Sequence, residues 1–351
     1  MFDQLQPVPT DPILGLMAEY KADTNPKKVD LSVGIYKDEI GDTPVLKEVK
    51  KAEAFRLENE SSKAYLGLAG NLDFNDKITQ LLFGEHKIIE SGRVKTAQTP
   101  GGTGSLRVAA EFIKRANPEA TIWVTNPTWA NHFSIFHAAG LKTQEFPYFD
   151  FETMGLKFEE TVKALSQIPA GDVVLFHACC HNPSGMDLNI EQWQIVADIA
   201  KQQGFTFLID SAYQGFGAGL EEDAAGIRLL ADQVEQMIVC SSCSKNFGLY
   251  RERTGAISLI GKDAVKTEIA FTNALSVIRA IYSMPPAHGA DIVATILGSE
   301  ELTAMWHQEL DEKRNRINGL RSFISEKFAE KGVPGNFEFI AKQNGMFSFL
   351  G

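Results

Sequence analysis

The sequence predicts an α/β fold with a mostly parallel sheet held between helices. Two observations carry this expectation. Short apolar runs recur at 122–124, 173–176, 205–209, 237–240 and 256–260, the length and character of buried strands. Helical patterns lie between several of them, at 191–201 and 224–234. Strands that alternate with helices imply crossover connections and parallel pairing. Runs apolar on both faces need a helical layer on each side of the sheet. The chain has 351 residues, which favours one large domain with a smaller one beside it.

Toward the end, Leu302, Met305, Trp306, Leu310, Ile317, Leu320, Ile324 and Phe328 recur at helical spacing. They predict one long helix closing near Gly332, with Pro334 just beyond. Segments 337–340 and 346–349 read as strands of a second layer, so this helix would lead from the large domain into the small one. No repeat, low-complexity tract or flexible linker interrupts the chain.

Composition narrows the function classes. The chain is 44% hydrophobic and 23% charged, ordinary for a globular enzyme. Its net charge is −11, from 34 basic and 45 acidic residues. That argues against nucleic acid or an anionic membrane as partner, since both need a basic surface. The opening MFDQLQPVPTDP has neither a basic nor an apolar leader segment, and no apolar run spans a bilayer. Four cysteines do not make a disulfide scaffold. A reducing cytoplasm is the expected setting.

Polar groups then stand where strands should end, which is where open α/β sheets place their ligands. HNPSG follows VVLFHACC and puts Asn182 in a turn. DSAYQGF follows FTFLI and supplies Asp210 and Tyr213. SSCSKNFGLYRERTG follows MIVC and supplies Ser242, Lys245 and Arg253. TPGGTGSLR contributes Gly101, Gly102 and Thr103 at a helix start, where backbone N–H groups favour an anion. A lysine can form a Schiff base with an aldehyde. A carboxylate facing a pyridine nitrogen keeps it protonated, and hydroxyl and arginine groups suit a phosphate. Tyr and Asn donors can bond a phenolic oxygen and tune an imine's acidity.

With these residues in place, the chain resembles the aspartate/aromatic amino acid aminotransferase family of fold-type I enzymes dependent on pyridoxal 5'-phosphate (PLP). The matching blocks are DPILGL, VGIYKDE, KAYLGLAG, TPGGTGSLR, NPTWANH, HACCHNPSG, DSAYQGFGAGLEEDA, SKNFGLYRERTG, RAIYSMPPAHGA and QNGMFSF, covering nearly the whole chain. The resemblance implies a large domain with a mostly parallel seven-stranded sheet and a smaller α/β domain. Residues 1–42 would form an N-terminal arm and the first part of the small domain, 43–312 the large domain, and 313–351 the second part of the small one. It implies amino-group exchange between L-aspartate and 2-oxoglutarate by a ping-pong mechanism.

Residue roles follow from the same resemblance. Lys245 would anchor the cofactor and shuttle a proton, and Asp210 would pair with the pyridine nitrogen. Tyr213 and Asn182 would bond the phenolic oxygen. Trp129 would stack on the ring, and His132 would hydrogen-bond Asp210. Gly102, Thr103, Ser242 and Arg253 would hold the phosphate, and Gly34, Trp129 and Asn182 would lie by the substrate. Tyr65 would reach the phosphate of a second subunit and Arg279 the distal carboxylate of its substrate, making a homodimer part of the mechanism. A second reading keeps PLP but decarboxylates or eliminates; the Arg279 clamp disfavours it.

The sequence departs from the family pattern in two ways. It ends at Gly351, where some tens of further residues, including the arginine for the substrate α-carboxylate, would be expected. An incomplete stretch of a longer enzyme is the expectation; a truncated PLP-binding dimer with little or no transaminase activity is the alternative. Lys37, Thr43, Thr103 and Arg279 match the aspartate-specific side, whereas Ala64 and Met284 make the distal pocket less polar. Aspartate should therefore be accompanied by side activity on aromatic amino acids. Cys240 with Cys243, and the group His177, Cys179, Cys180 and His181, have the look of redox or metal motifs. One cysteine of the pair lies in a predicted strand and the lysine segment accounts for it, and the His/Cys group has no second half-site at zinc-like spacing, so neither redox chemistry nor a metal is expected.

Overall fold

The computed structural model describes residues 1–7, 12–30 and 34–348. Asp11, Val33 and Phe349, which belong to the matched blocks and the last expected strand, lie outside the described residues. The chain divides into two compact units, Met1–Thr43 and Pro44–Gly351. The first contains a short 3-10 turn at Phe2–Gln4 and the helix Pro12–Ala22. Within it Lys37 pairs with Asp30 at 2.7 Å, and the Asp38 carboxylate accepts the N–H groups of Ile40 and Asp42.

Among its described residues the second unit carries nine strands: β1 (Val94–Pro100), β2 (Thr121–Asn126), β3 (Lys142–Pro147), β4 (Phe149–Asp150), β5 (Gly155–Leu156), β6 (Val173–His177), β7 (Thr206–Ser211), β8 (Met237–Ser242) and β9 (Thr254–Ile260). Seven of them form one sheet in the order β1-β9-β8-β7-β6-β2-β3, and β4 and β5 make a separate short ladder. Strands β3, β2, β6, β7 and β8 are parallel; β9 runs antiparallel to both β1 and β8. The expected mostly parallel seven-stranded sheet is therefore present. The exception at β9 has a local cause: only the loop 243–253 joins it to β8, with no crossover helix to turn it parallel.

The predicted apolar runs form the sheet's centre because a strand turns successive side chains to opposite faces. On β7, Phe207 and Ile209 join one core while Leu208 joins the other. Met237 and Val239 of β8 repeat this against Ile238 and Cys240. One core is closed by helix Gly101–Ala116, through Leu106, Ala109 and Ile113, and by Val277 of helix Ala264–Ile281. The other is closed by Phe74, Ile78 and Leu82 of Leu72–Phe83, by Trp193 and Val196 of Ile190–Gln203, and by Ile227 and Leu230 of Leu220–Gln233. The Ile190–Gln203 helix is delimited locally. Asn189 and Gln192 form a capping box, and Gly204 at φ 80° ends it in the left-handed region.

The long helix is Glu300–Glu330, opened by Ser299, whose hydroxyl accepts from Leu302 N–H, and followed by Gly332 at φ 63°. The strands expected after it are a correction. Residues 338–342 form a 3-10 turn, Glu338–Lys342, and no strand includes 346–348. The backbone groups go elsewhere. Asn344 N–H donates to Gly185 O at 2.7 Å. Gly345 takes φ 82°, and Arg321 captures the carbonyls of Gly345 and Phe347. No described helix is long and apolar enough to cross a membrane.

Candidate active site

The parallel register brings the polar strand ends together. His177 of β6 lies opposite Asp210 of β7, Asp210 opposite Cys240 of β8, and Ser242 opposite Gly255 of β9. The turns beyond these residues carry Asn182, Tyr213 and Lys245, so three separate motifs converge at one edge.

Asp210 is buried, and its Oδ2 lies 3.1 Å from His132 Nε2. His132 is buried on helix Asn131–Ala138, and its Nδ1 lies 2.8 Å from Thr128 Oγ1. Burial alone would raise the Asp210 carboxyl. The His132 hydrogen bond, the charges of His132 and His177, and Lys245 outweigh it and hold Asp210 below its ordinary value. Asp210 is thus kept as a carboxylate inside the protein, the state needed to face a protonated pyridine nitrogen.

Lys245 sits with its Nζ 4.5 Å from the Tyr213 ring centroid. Burial pushes the ammonium below its ordinary value, opposed by Asp210 and assisted by Arg253. A lysine so placed gives up its proton more readily and becomes a nucleophilic amine. The Tyr213 phenol is pushed up, by burial first and by Asp210 next, so it stays a proton donor.

An anion cradle adjoins them. Gly101 and Gly102 open the Gly101–Ala116 helix, whose first N–H groups have no partner within the helix. A Cβ on Gly101 would fall 2.6 Å from Arg253 Nη2, and one on Gly102 3.1 Å from Ser242 Cβ. Gly101 (φ 74°) and Arg253 (φ 54°) both take left-handed backbone conformations that let the two segments approach. Thr103 lies in the same first helical turn. Two glycines, a hydroxyl and a guanidinium around a helix N-terminus match a phosphate in size and charge.

The remaining predicted residues vary in placement. Trp129 is half-buried and meets His132 edge-on at 5.3 Å. Asn182 is half-buried in its turn and precedes a cis proline. Tyr65 is 94% exposed, and Arg279 is exposed and bonds Ser283 of its own helix end. Neither makes a polar contact with the Lys245 group. Gly34 lies half-buried in the first unit.

Three features escaped the sequence reading. His177 has no hydrogen-bond partner at either ring nitrogen, and burial pushes it down to about 3. Phe347 packs edge-on against Tyr213 at 5.5 Å. Arg321, which reads as a solvated helix residue, is buried. Only the QNGMFSF block offered a signal, and it pointed to Phe347 alone.

Among the described residues two groups have metal-like clustering: His132, His177 and Asp210, and Cys179, Cys180 and Asp223. In the first, His132 and Asp210 are spent on each other. In the second, Asp223 accepts the N–H groups of Gly215, Gly217 and Ala218. Burial pushes up the thiols of Cys240 and Cys243, which suppresses the thiolate that redox chemistry needs.

Residues 26–351 match the family model described as aminotransferase class I and II. The aspartate aminotransferase of Salmonella typhi is 52% identical over all of this chain and 89% of its own length. Among solved structures, an aromatic-amino-acid aminotransferase from Burkholderia pseudomallei, covalently bound to pyridoxal phosphate, superposes with a TM-score of 0.96 at 41% identity. It covers 98% of this chain and 87% of that one. An aromatic amino acids aminotransferase from Psychrobacter sp. B6, cocrystallised with aspartic acid, gives 0.97 at 39% identity over 100% of this chain and 88% of that one.

Proposed function

Because this chain belongs to the class I and II aminotransferase family, we propose that its strand-end residues carry out amino-group transfer in the roles their positions suggest. The protein is a PLP-dependent transaminase of the aspartate and aromatic amino acid type. The reading as an inactive truncated dimer has no support among relatives that match the whole chain. When bound, PLP supplies an electrophilic aldehyde and a ring that withdraws electrons from a substrate carbanion.

The roles are these. Gly102, Thr103, Ser242 and Arg253 grip the phosphate. Asp210, fixed by His132, holds a proton on the pyridine nitrogen. Tyr213 and Asn182 donate to the phenolic oxygen, and Trp129 covers the ring. Lys245 would hold the cofactor through its aldehyde carbon and, as a free amine, would accept and return the proton at the substrate Cα. Its lowered proton affinity supports this part, because a shuttle needs an amine that releases its proton more readily than a solvated lysine. Gly34 serves the substrate side.

Tyr65 and Arg279 would be offered to the site of a second copy, making the working unit a homodimer. Their exposure on this chain supports that arrangement. Arg279 selects dicarboxylates, so aspartate and 2-oxoglutarate are the natural pair, with aromatic side chains accepted beside Ala64 and Met284. The passage from large to small domain is placed near 312–313, within the long helix, and the expected setting is the cytoplasm.

One observation carries the proposal: the Lys245 amine lies 4.5 Å from the Tyr213 ring centroid, with the buried Asp210 carboxylate near enough for its charge to act on it. Borohydride reduction followed by peptide mass spectrometry should place a pyridoxyl group on Lys245. A label on another lysine overturns the assignment. Comparing kcat/KM for aspartate and phenylalanine tests the mixed pocket, which fails if phenylalanine turnover is negligible.

A further inference from the structure

The segment 343–347 lies against the turns that carry Asn182 and Tyr213. Asn344 N–H donates to Gly185 O at 2.7 Å, and Asn344 Nδ2 donates to Asp187 Oδ2 at 3.1 Å. The Asp187 carboxylate also accepts the N–H groups of Cys180 and His181, each at 2.8 Å. A Cβ on Gly345 would fall 2.5 Å from Cys180 Cβ, so the backbone is pressed against the turn. Phe347 then sets its ring 5.5 Å from that of Tyr213, at 78°.

One side chain ties this segment down. Arg321 is 4% exposed, and its Nη2 donates to Gly345 O and, at 2.6 Å, to Phe347 O. Its Nη1 donates to Asn318 Oδ1 at 3.2 Å, and its Nε has no partner. No carboxylate pairs with it among the described residues. Burying a guanidinium without a counter-charge is unfavourable, and the two carbonyl dipoles are its main compensation. Nη2 serves both carbonyls while Nη1 reaches Asn318, a spread of donors held in one plane that a lysine ammonium does not offer.

We propose that Arg321 is a positioning residue for transamination: it pins residues 345–347 so that Phe347 fixes the Tyr213 ring beside Lys245. This rests on the reading of Tyr213 as the donor to the cofactor's phenolic oxygen. Arg321 touches neither cofactor nor substrate in this role. Its effect passes through Phe347 to Tyr213, so it should be visible only while Tyr213 has its hydroxyl.

The test compares holoenzymes carrying Arg321→Met, Arg321→Lys, Tyr213→Phe and the double variant R321M/Y213F. Three quantities are read: kcat with aspartate, the pH midpoint of the bound-PLP absorbance without substrate, and the Tm. Arg321→Met should lower kcat at least fivefold and move the spectral midpoint in the same direction as Tyr213→Phe. Arg321→Lys should recover part of both. In the Tyr213→Phe background, Arg321→Met should change kcat less than twofold. Multiplicative losses in the double variant, or an unmoved midpoint in Arg321→Met, overturn the proposal. Phe347→Leu tests the same link if Arg321→Met does not fold. If Tyr213→Phe itself leaves kcat and midpoint unchanged, the Tyr213 assignment has failed; if it shifts them and Arg321→Met does not, only this inference has.

Discussion

The Asp210 wall and the Lys245 wall of the site are built in opposite ways. On the first, Thr128, His132 and Asp210 are buried and bonded to one another in a line. On the second, the Lys245 amine lies over the Tyr213 ring within reach of the charges of Asp210 and Arg253, and Arg253 donates to Tyr250 O through Nη1. Charge on the first wall is therefore set by the fold itself. Charge on the second is set by burial and by longer-range charges, with no such line of bonds, and so yields more readily to whatever binds there. An enzyme that must hold a ring proton constant while another proton moves needs this division.

The comparison breaks first at Lys245. Lys245→Ala should reduce kcat/KM for aspartate on the order of 10⁴-fold, since anchor and proton carrier are lost together; steady-state assay with 2-oxoglutarate checks this. Asp210→Asn keeps the shape of the other wall and removes its charge. It should cost roughly 10²–10³-fold in kcat, a loss comparable to removing a preorganised electrostatic group. If Asp210→Asn proves nearly silent in kcat, the first wall is structural only.

A finer break lies one residue back. His132→Ala removes a hydrogen bond to a charged group, about 1.5–3 kcal/mol, and should lower kcat about tenfold or more. It also removes the main group lowering Asp210, so any acid limb of the pH–rate profile due to Asp210 should move to higher pH. An acid limb that stays in place separates His132 from that carboxylate.

His177 sharpens the comparison without touching catalysis directly. Its folded value is near 3, while the unfolded imidazole titrates near 6.5. Between these values the unfolded chain binds the extra proton, so His177 makes the fold less stable as pH falls. Asp210 acts in the same direction at lower pH: held low, it adds stability above its unfolded value and loses it as pH falls toward its folded one. His177→Gln should therefore flatten the acid side of a denaturation-midpoint series between about pH 4 and 6.5, by up to about 1.4 kcal/mol per pH unit. An unchanged slope means that the imidazole is protonated in the folded protein.

How much of this was legible in the sequence depended on where each residue's partners lie. β6, β7 and β8 announce themselves because both faces are buried, and Val173 to Phe176 shows an unbroken apolar run. β3 does not: KTQEFP is an edge strand with a mostly exposed face. β1 was missed for a related reason, since its Thr and Gln side chains find buried hydrogen bonds, as in the Thr79–Thr96–Ser258 chain. The 346–348 segment has strand-like composition, but its carbonyls are claimed by an arginine 24 and 26 residues earlier, which no local pattern reveals. Lys245, Asp210 and Tyr213 were legible because each follows a strand. His177 was not, since an unpartnered imidazole is a statement about its surroundings.

The helix Glu300–Glu330 supports the Lys245 wall at two points. Near its start, Trp306 stacks on Phe247 at 4.3 Å and donates to Asn246 O at 2.7 Å, beside Lys245. Arg321, about 22 Å further along the axis, holds the segment behind Tyr213. The helix thus works as a gauge block, its turns spacing the two anchor points. Adding one residue between them would swing Arg321 by about 100° around the axis while leaving Trp306 seated. The gauge also has a compliant point: a Cβ at Gly319 would meet nothing within 4 Å, so alanine fits there, and glycine in its place softens the helix two residues before the arginine.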